Sequence, residues 1–120
     1  MAIESFEQLE VWKEAHELVL HVYKNAQKLP ADEKFGLISQ MRRASVSVPA
    51  NIAEGFKRRS RADKIHFYNI AQASLEGLRY YFILCRDLGF RLESDTLAEQ
   101  AKQVARMLQG LISSIEKRTP

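Results

Sequence analysis

Apolar residues recur along this chain at alternating spacings of three and four, the mark of amphipathic helices. They fall in four blocks separated by short breaks rich in Pro, Gly or charge. The first block predicts a helix from about Ser5 to Lys28, with Leu9, Trp12, His16, Val19, Tyr23 and Ala26 on its inner stripe. Ser5 reads as an N-cap with Gln8 as its capping-box partner, and Leu29-Pro30 as the stop. A second helix is predicted from Asp32 or Glu33 to about Lys57, with Leu37, Met41, Ala44, Val48 and Ile52 facing inward. The third runs from Ser60 to about Leu88 and carries Tyr68, Ala71, Leu75, Leu78, Phe82 and Cys85 in a heptad-like row. Ser60-Arg61-Ala62-Asp63 reads as its capping box and Gly89 as its left-handed C′ residue. The fourth spans Ser94 to Lys117, with Leu97, Ala101, Val104, Leu108, Leu111 and Ile115 inward. Lys117 and Arg118 complement the negative end of its dipole.

Four helices joined by short loops predict an all-α fold, an antiparallel up-down-up-down four-helix bundle, with residues 1–120 as one domain. The apolar stripes are wider than a bundle seam needs. Val11, Leu18, Leu20 and Val22 widen the first, and Phe67, Ile70, Tyr81 and Leu84 the third. Such width suits a broad core or a self-association surface alike. No apolar run is long enough to span a bilayer. Met1 to Ser5 lack the basic and apolar regions of a secretory signal, so the cytoplasm is the expected compartment. The single cysteine, Cys85, sits in an apolar run and reads as a small buried hydrophobe.

The second helix departs from a plain core helix. Pro49 denies the Ser45 carbonyl its usual donor and predicts a kink at Pro49, or a short break near Ser47-Val48. Ser47, Asn51 and Glu54 share one face at i, i+4 and i+7. With Ser74 from the third helix they form a candidate polar network. Its role is to fix helix register, or to form a polar site at a subunit contact or channel.

Charge is concentrated at the end of this helix. The net charge is +3, but residues 57–64 hold Lys57, Arg58, Arg59, Arg61 and Lys64 against Asp63 alone. The helix dipole favours cations at a C-terminus, yet Arg61 and Lys64 belong to the first turn of the next helix, where cations are disfavoured. The cluster therefore fits an anionic partner. Arg42 and Arg43, about 22 Å earlier along a straight helix, are auxiliary candidates. His66, Phe67 and Tyr68 follow the cluster and supply rings for base stacking, although Tyr68 also lies on the inward heptad.

Motifs for chemistry are missing. The chain has no glycine-rich phosphate loop and no Cys/His pair at zinc spacing. His16 and His21 are five residues apart, about 140° around a helix, and no histidine has the glutamate three residues earlier that diiron bundles use. The reading is a non-catalytic protein with no metal and no cofactor.

Several of these stretches resemble a known family: Phe6-Glu7-Gln8-Leu9-Glu10-Val11-Trp12, Gln40-Met41-Arg42-Arg43-Ala44, Ser47-Val48-Pro49-Ala50-Asn51-Ile52-Ala53-Glu54-Gly55, and Phe67-Tyr68-Asn69-Ile70-Ala71-Gln72-Ala73-Ser74-Leu75. They are similar to the bacterial four-helix-bundle proteins encoded in intervening sequences of 23S ribosomal RNA. The resemblance fades after Gly89 and covers about three quarters of the chain. The Pro-x-Asn-Ile-x-Glu-Gly core is its most specific part, since proline inside such a helix is rare. Gly77 stands where that pattern often carries a glutamate, with Glu76 before it. The resemblance implies an antiparallel bundle assembled as a homopentamer. It also implies likeness to the accessory proteins of diversity-generating retroelements, basic pentamers that bind nucleic acid and a reverse transcriptase.

The leading expectation is a non-catalytic, oligomeric bundle that binds RNA or DNA through phosphates. Its contacts would be Lys57, Arg58, Arg59, Arg61 and Lys64, aided by Arg42 and Arg43, with shape and charge rather than base edges deciding. The alternative is a protein-interaction scaffold for an acidic protein surface. A small-ligand or catalytic bundle would need an apolar pocket near Asn51 and Glu54.

Overall fold

The computed structural model describes residues 2–117. Their regular structure is entirely helical: a 3-10 turn Phe6–Gln8, α1 Glu10–Ala26, a second 3-10 turn Ala31–Glu33, α2 Leu37–Lys57, α3 Arg61–Asp87 and α4 Ser94–Glu116. Each helix packs on two neighbours, α1 on α2 and α4, and α3 on α2 and α4, as in a four-helix bundle. Cross-helix contacts give the directions. Lys64 near the start of α3 meets Gly55 and Phe56 at the end of α2, while Cys85 near the end of α3 lies 3.8 Å from Met41 near the start of α2. His21 and Asn25 late in α1 meet Glu93, just before α4. These pairs therefore run in opposite directions. The body measures 51 × 23 × 21 Å, and no helix among the described residues is long and apolar enough to cross a membrane.

Three helix starts differ instructively from expectation. The capping box at Ser5 forms, with Gln8 Oε1 accepting from the Ser5 N–H at 3.0 Å, but it caps only the 3-10 turn. Leu9 is then extended and α1 begins at Glu10. Likewise Asp32 and Glu33 form a 3-10 turn instead of opening α2, and the Glu33 carboxylate accepts from the Leu37 N–H at 3.2 Å. Ser60 caps α3 by accepting from the Asp63 N–H at 3.1 Å, while no return bond from the Asp63 side chain accompanies it among the described residues. At the far end of α3, Gly89 has the expected positive φ of 80°. Arg118 lies outside the described residues.

The core matches the predicted stripes on α3 in full and on α4 with one exchange, Ile112 buried in place of the half-buried Leu111. On α2, Leu37, Met41, Val48 and Ile52 are buried and Ala44 is half-buried. On α1 the predicted stripe is displaced by one residue. Val11, Ala15, Leu18, Val22, Asn25 and Ala26 are buried, whereas His16 and Tyr23 are exposed. The two stripes lie side by side on the helix, and the inner one carries the compact side chains that close packing favours. The aromatic row serves the rim instead. Trp12 stacks on His16 at 5.2 Å and meets Phe6 edge-on at 5.1 Å, which fastens the N-terminal turn to α1. Much of the extra apolar width is thus absorbed by the core, with Leu20 left exposed.

Pro49 does not interrupt α2, which is helical from Leu37 to Lys57, so the break expected near Ser47-Val48 is absent. The proline is buried, and the buried Ser45 hydroxyl donates to the Arg42 carbonyl at 2.9 Å. Gly55 explains the last residue of the Pro-x-Asn-Ile-x-Glu-Gly run. A Cβ there would sit 2.5 Å from a ring carbon of Tyr68, itself buried on α3. The bare backbone lets the end of α2 touch the Tyr68 ring, and burial raises the Tyr68 phenol pKa.

A polar knot joins α1 to α4. Asn25 is fully buried; its amide nitrogen donates to the His21 carbonyl and to Glu93 Oε2, each at 3.1 Å. Its oxygen accepts from the Glu93 N–H at 3.0 Å. The His21 ring meets Glu93 at 2.8 Å and also pairs with Gln100. Hydrogen bonds from His21, then Asn25, hold the Glu93 carboxyl below its usual pKa.

Gly55→Ala should destabilise the fold by about 1–3 kcal/mol through overpacking against Tyr68. Gly110→Ala on α4, where a Cβ meets nothing within 4 Å, should stabilise by up to about 1 kcal/mol; urea unfolding reads both. A carboxyl whose folded pKa lies below its unfolded one contributes stability above the unfolded value, roughly 4.3 for glutamate. That contribution falls away as pH drops through the folded value. Stability measured from pH 6 down to 3 should therefore fall less steeply in Glu93→Gln than in the wild type.

Candidate functional site

The polar face of α2 resolves into a structural tie and a separate surface pair. Ser74 Oγ on α3 donates to Ser47 Oγ at 2.8 Å, and the Asn51 amide donates to Ser47 Oγ at 3.0 Å and to the Ser47 carbonyl at 2.8 Å. All three groups are half-buried, so their mutual bonds offset a desolvation cost of about 1–3 kcal/mol per unmade partner and fix one register of α2 against α3. Glu54 does not join them. It is exposed and pairs with Arg58 at 3.1 Å, one turn on. Its spacing places it on the side of α2 that carries Ser47, but its side chain turns to Arg58 on its own helix and makes no bond to α3 among the described residues.

The cations of residues 57–64 gather around the α2–α3 turn, in unequal roles. Lys64 reaches back from α3. Its ammonium donates to the carbonyls of Phe56 at 2.8 Å and Gly55 at 3.3 Å, groups that the end of α2 leaves without helical partners. Arg58 is the extended C-cap of α2. It is bound to Glu54 and lies over the Phe67 ring at 4.6 Å. Lys57, Arg59 and Arg61 are exposed and have no carboxylate partner among the described residues. His66 is exposed and meets Phe67 edge-on at 5.2 Å, while Tyr68 turns into the core.

Arg42 and Arg43 are not part of this turn. They line an open groove of about 650 Å³ with Tyr23, Lys34, Phe35 and Val46. Arg42 lies over the Tyr23 ring at 5.0 Å, and its Nε is buried without a hydrogen-bond partner among the described residues. This grouping is not legible along the chain, because Tyr23 and Lys34 sit on other elements and periodicity places Tyr23 on the core stripe. A smaller groove of about 330 Å³ lies between the end of α3 and the start of α4. There Arg79, Arg86 and Lys102 are each paired with a carboxylate. Neither groove is lined by Asn51 or Glu54. Cys85 is buried, and burial, then the charge of Glu33, pushes its thiol up to about 11, so it stays protonated at neutral pH. Among the described residues no group of His, Cys, Asp and Glu is arranged to hold a metal.

The division of labour among the cations has a stability signature. Lys64→Ala removes charge-assisted bonds to the α2 carbonyls and should cost about 1.5–3 kcal/mol. Arg59→Ala and Arg61→Ala should each stay within about 0.5 kcal/mol of wild type in the same denaturant titration.

Comparison with known proteins agrees with this architecture. No curated protein matches the chain. A solved structure at 1.70 Å resolution, a protein of unknown function from the S23 ribosomal protein family of Bacteroides thetaiotaomicron, superposes with a TM-score of 0.79. It is 23% identical in sequence, and the match covers 86% of this chain and 95% of the other, a likeness of fold. The sequence model of the 23S rRNA-intervening sequence proteins matches residues 7–110, beyond the point near Gly89 where the motif resemblance fades and through most of α4. With the four-helix bundle and the match in agreement, the chain belongs to the 23S rRNA-intervening sequence protein family.

Proposed function

We propose that this protein is a non-catalytic, cytoplasmic nucleic-acid-binding bundle that acts as a homo-oligomer, with RNA as its preferred ligand. The observation that carries the reading is the set of exposed, carboxylate-free cations Lys57, Arg59 and Arg61 at one turn, with Arg58 and Lys64 beside them. Cations grouped without counter-charges release condensed counterions when they meet phosphates, and that release drives binding. The family name places its members' coding sequences in 23S ribosomal RNA, which makes RNA the first ligand to test. Phe67 and His66 add rings beside the cations, suited to unpaired bases.

Assembly strengthens the reading. A homopentamer would repeat the α2–α3 turn five times and convert weak single contacts into useful avidity. Exposed Leu20, Tyr80 and Ile83 supply apolar surface for such contacts. An acidic protein partner is the competing ligand for the same cations.

RNA and duplex-DNA binding across a salt series tests this, for wild type and for the variant with Lys57, Arg58, Arg59 and Arg61 changed to Ala. Wild-type affinity for RNA should fall steeply with salt, and the variant's slope should be shallower by up to about 3. Light scattering on the same samples should give five times the protomer mass. Absence of RNA binding at about 50 mM salt, where phosphate contacts are strong, would sink the nucleic-acid reading in favour of the acidic protein partner.

A further inference from the structure

The groove between α1 and the start of α2 has a chemistry distinct from the α2–α3 turn. Lys34, Arg42 and Arg43 line it, and no carboxylate does. None of the three has an ion-pair partner among the described residues. Arg42 is the most constrained of them. Its guanidinium is held against the Tyr23 ring, its Nε is buried, and none of its N–H groups finds an acceptor among the described residues. A planar fork fixed this way is preorganised for a phosphate or carboxylate. The groove also offers an open ring. Phe35, in the turn before α2, is 89% exposed, the most exposed large hydrophobic among the described residues, and the Lys34 ammonium lies 5.6 Å from its ring centroid. The Ser39 side chain supplies a hydroxyl on the same wall. A volume of about 650 Å³ is in the range of sites for compact organic ligands, about 300–1,000 Å³.

We infer that this groove binds one unpaired nucleotide of a single strand, its phosphate on Arg42, Arg43 and Lys34 and its base against Phe35. Cations without carboxylates select an anion, and an exposed ring beside them selects an anion that carries a flat apolar group. The inference rests on the nucleic-acid reading above and deepens it. Val46 on the groove and Lys57 at the turn are eleven residues apart on α2, about three helical turns and about 16 Å. They therefore lie on the same side of the helix. At no less than the roughly 3.4 Å per nucleotide of a stacked duplex strand, a single strand spans that interval in about five nucleotides or fewer, so one short oligonucleotide reaches both places.

The test is amide NMR of the full-length protein at about 50 mM salt, titrated separately with AMP, adenosine and inorganic phosphate. AMP should shift the signals of Phe35, Ser39, Arg43 and Val46 and bind at least about fivefold more tightly than phosphate, the smaller end of a base-stacking contribution. Phe35→Ala, at a surface position that leaves the core intact, should erase that preference while phosphate binding persists. Arg42→Gln should weaken both by about tenfold or more, as for a charge-assisted contact. The variant lacking Lys57, Arg58, Arg59 and Arg61 should keep AMP binding at the groove even where it loses RNA. Equal affinity for AMP and phosphate would overturn the proposal and leave a plain anion site. Shifts confined elsewhere, or shifts that follow protein concentration alone as at a contact between copies, would overturn it too. RNA binding that survives any of those results leaves the α2–α3 reading standing.

Discussion

The close contact between α2 and α3 sets the terms for the rest of this structure. At one end Gly55 lies so near the Tyr68 ring that a single methyl group would collide with it. Midway, Ser47 and Ser74 share a hydrogen bond across the seam, and toward the other end Cys85 meets Met41. Each contact has a small residue on at least one side, Gly55, Ser47 and Ser74, or Cys85, and only one register satisfies them all. Pro49 lies in this stretch. Its missing N–H costs a helical bond, yet α2 stays helical across it. Tertiary packing therefore outweighs the local defect.

That packing also governs where charge is free to act. The α2–α3 turn is short because α2 ends where α3 must begin, and the carbonyls left over at the end of α2 take up Lys64. Arg58 is drawn to Glu54 and Phe67. The remaining cations stay in water, unneutralised, and carry most of the local positive field. A cluster that looks uniform in one dimension thus divides into cations that hold the turn together and cations available to a partner. The knot of Asn25, His21 and Glu93 is a second polar tie, in which the buried Asn25 side chain has its bonds met by the His21 carbonyl and by the exposed Glu93. It joins α1 to α4 at the end of the bundle remote from the α2–α3 turn.

Much of this was legible from residues alone. The α3 row from Tyr68 to Cys85 is legible because one apolar stripe there dominates its alternatives. The caps at Ser5 and Ser60 and the left-handed Gly89 followed from local chemistry that needs no neighbours. On α1 periodicity does not decide. Two apolar stripes lie side by side, the large aromatic residues stand on the rim, and Ala15 and Asn25 mark the inner face only weakly. Glu54 is a related case. Periodicity gives the angle of a residue around its helix, but not which partner its side chain takes there, and Glu54 takes Arg58 on its own helix.

Helix content, the order of elements, the Ser60 cap, the left-handed Gly89 and the concentration of charge at residues 57–64 are properties of short stretches, settled within a few residues of each other along the chain. Other properties depend on distances between residues far apart in sequence. The choice between the two stripes of α1 is one, and the need for glycine at position 55 is another. So are the capture of Lys64 by α2 and the meeting of Tyr23, Lys34 and Phe35 with Arg42. No local rule encodes them, because burial and hydrogen bonding are decided by whichever helix lies opposite, and the opposing helix is known only once the bundle has closed.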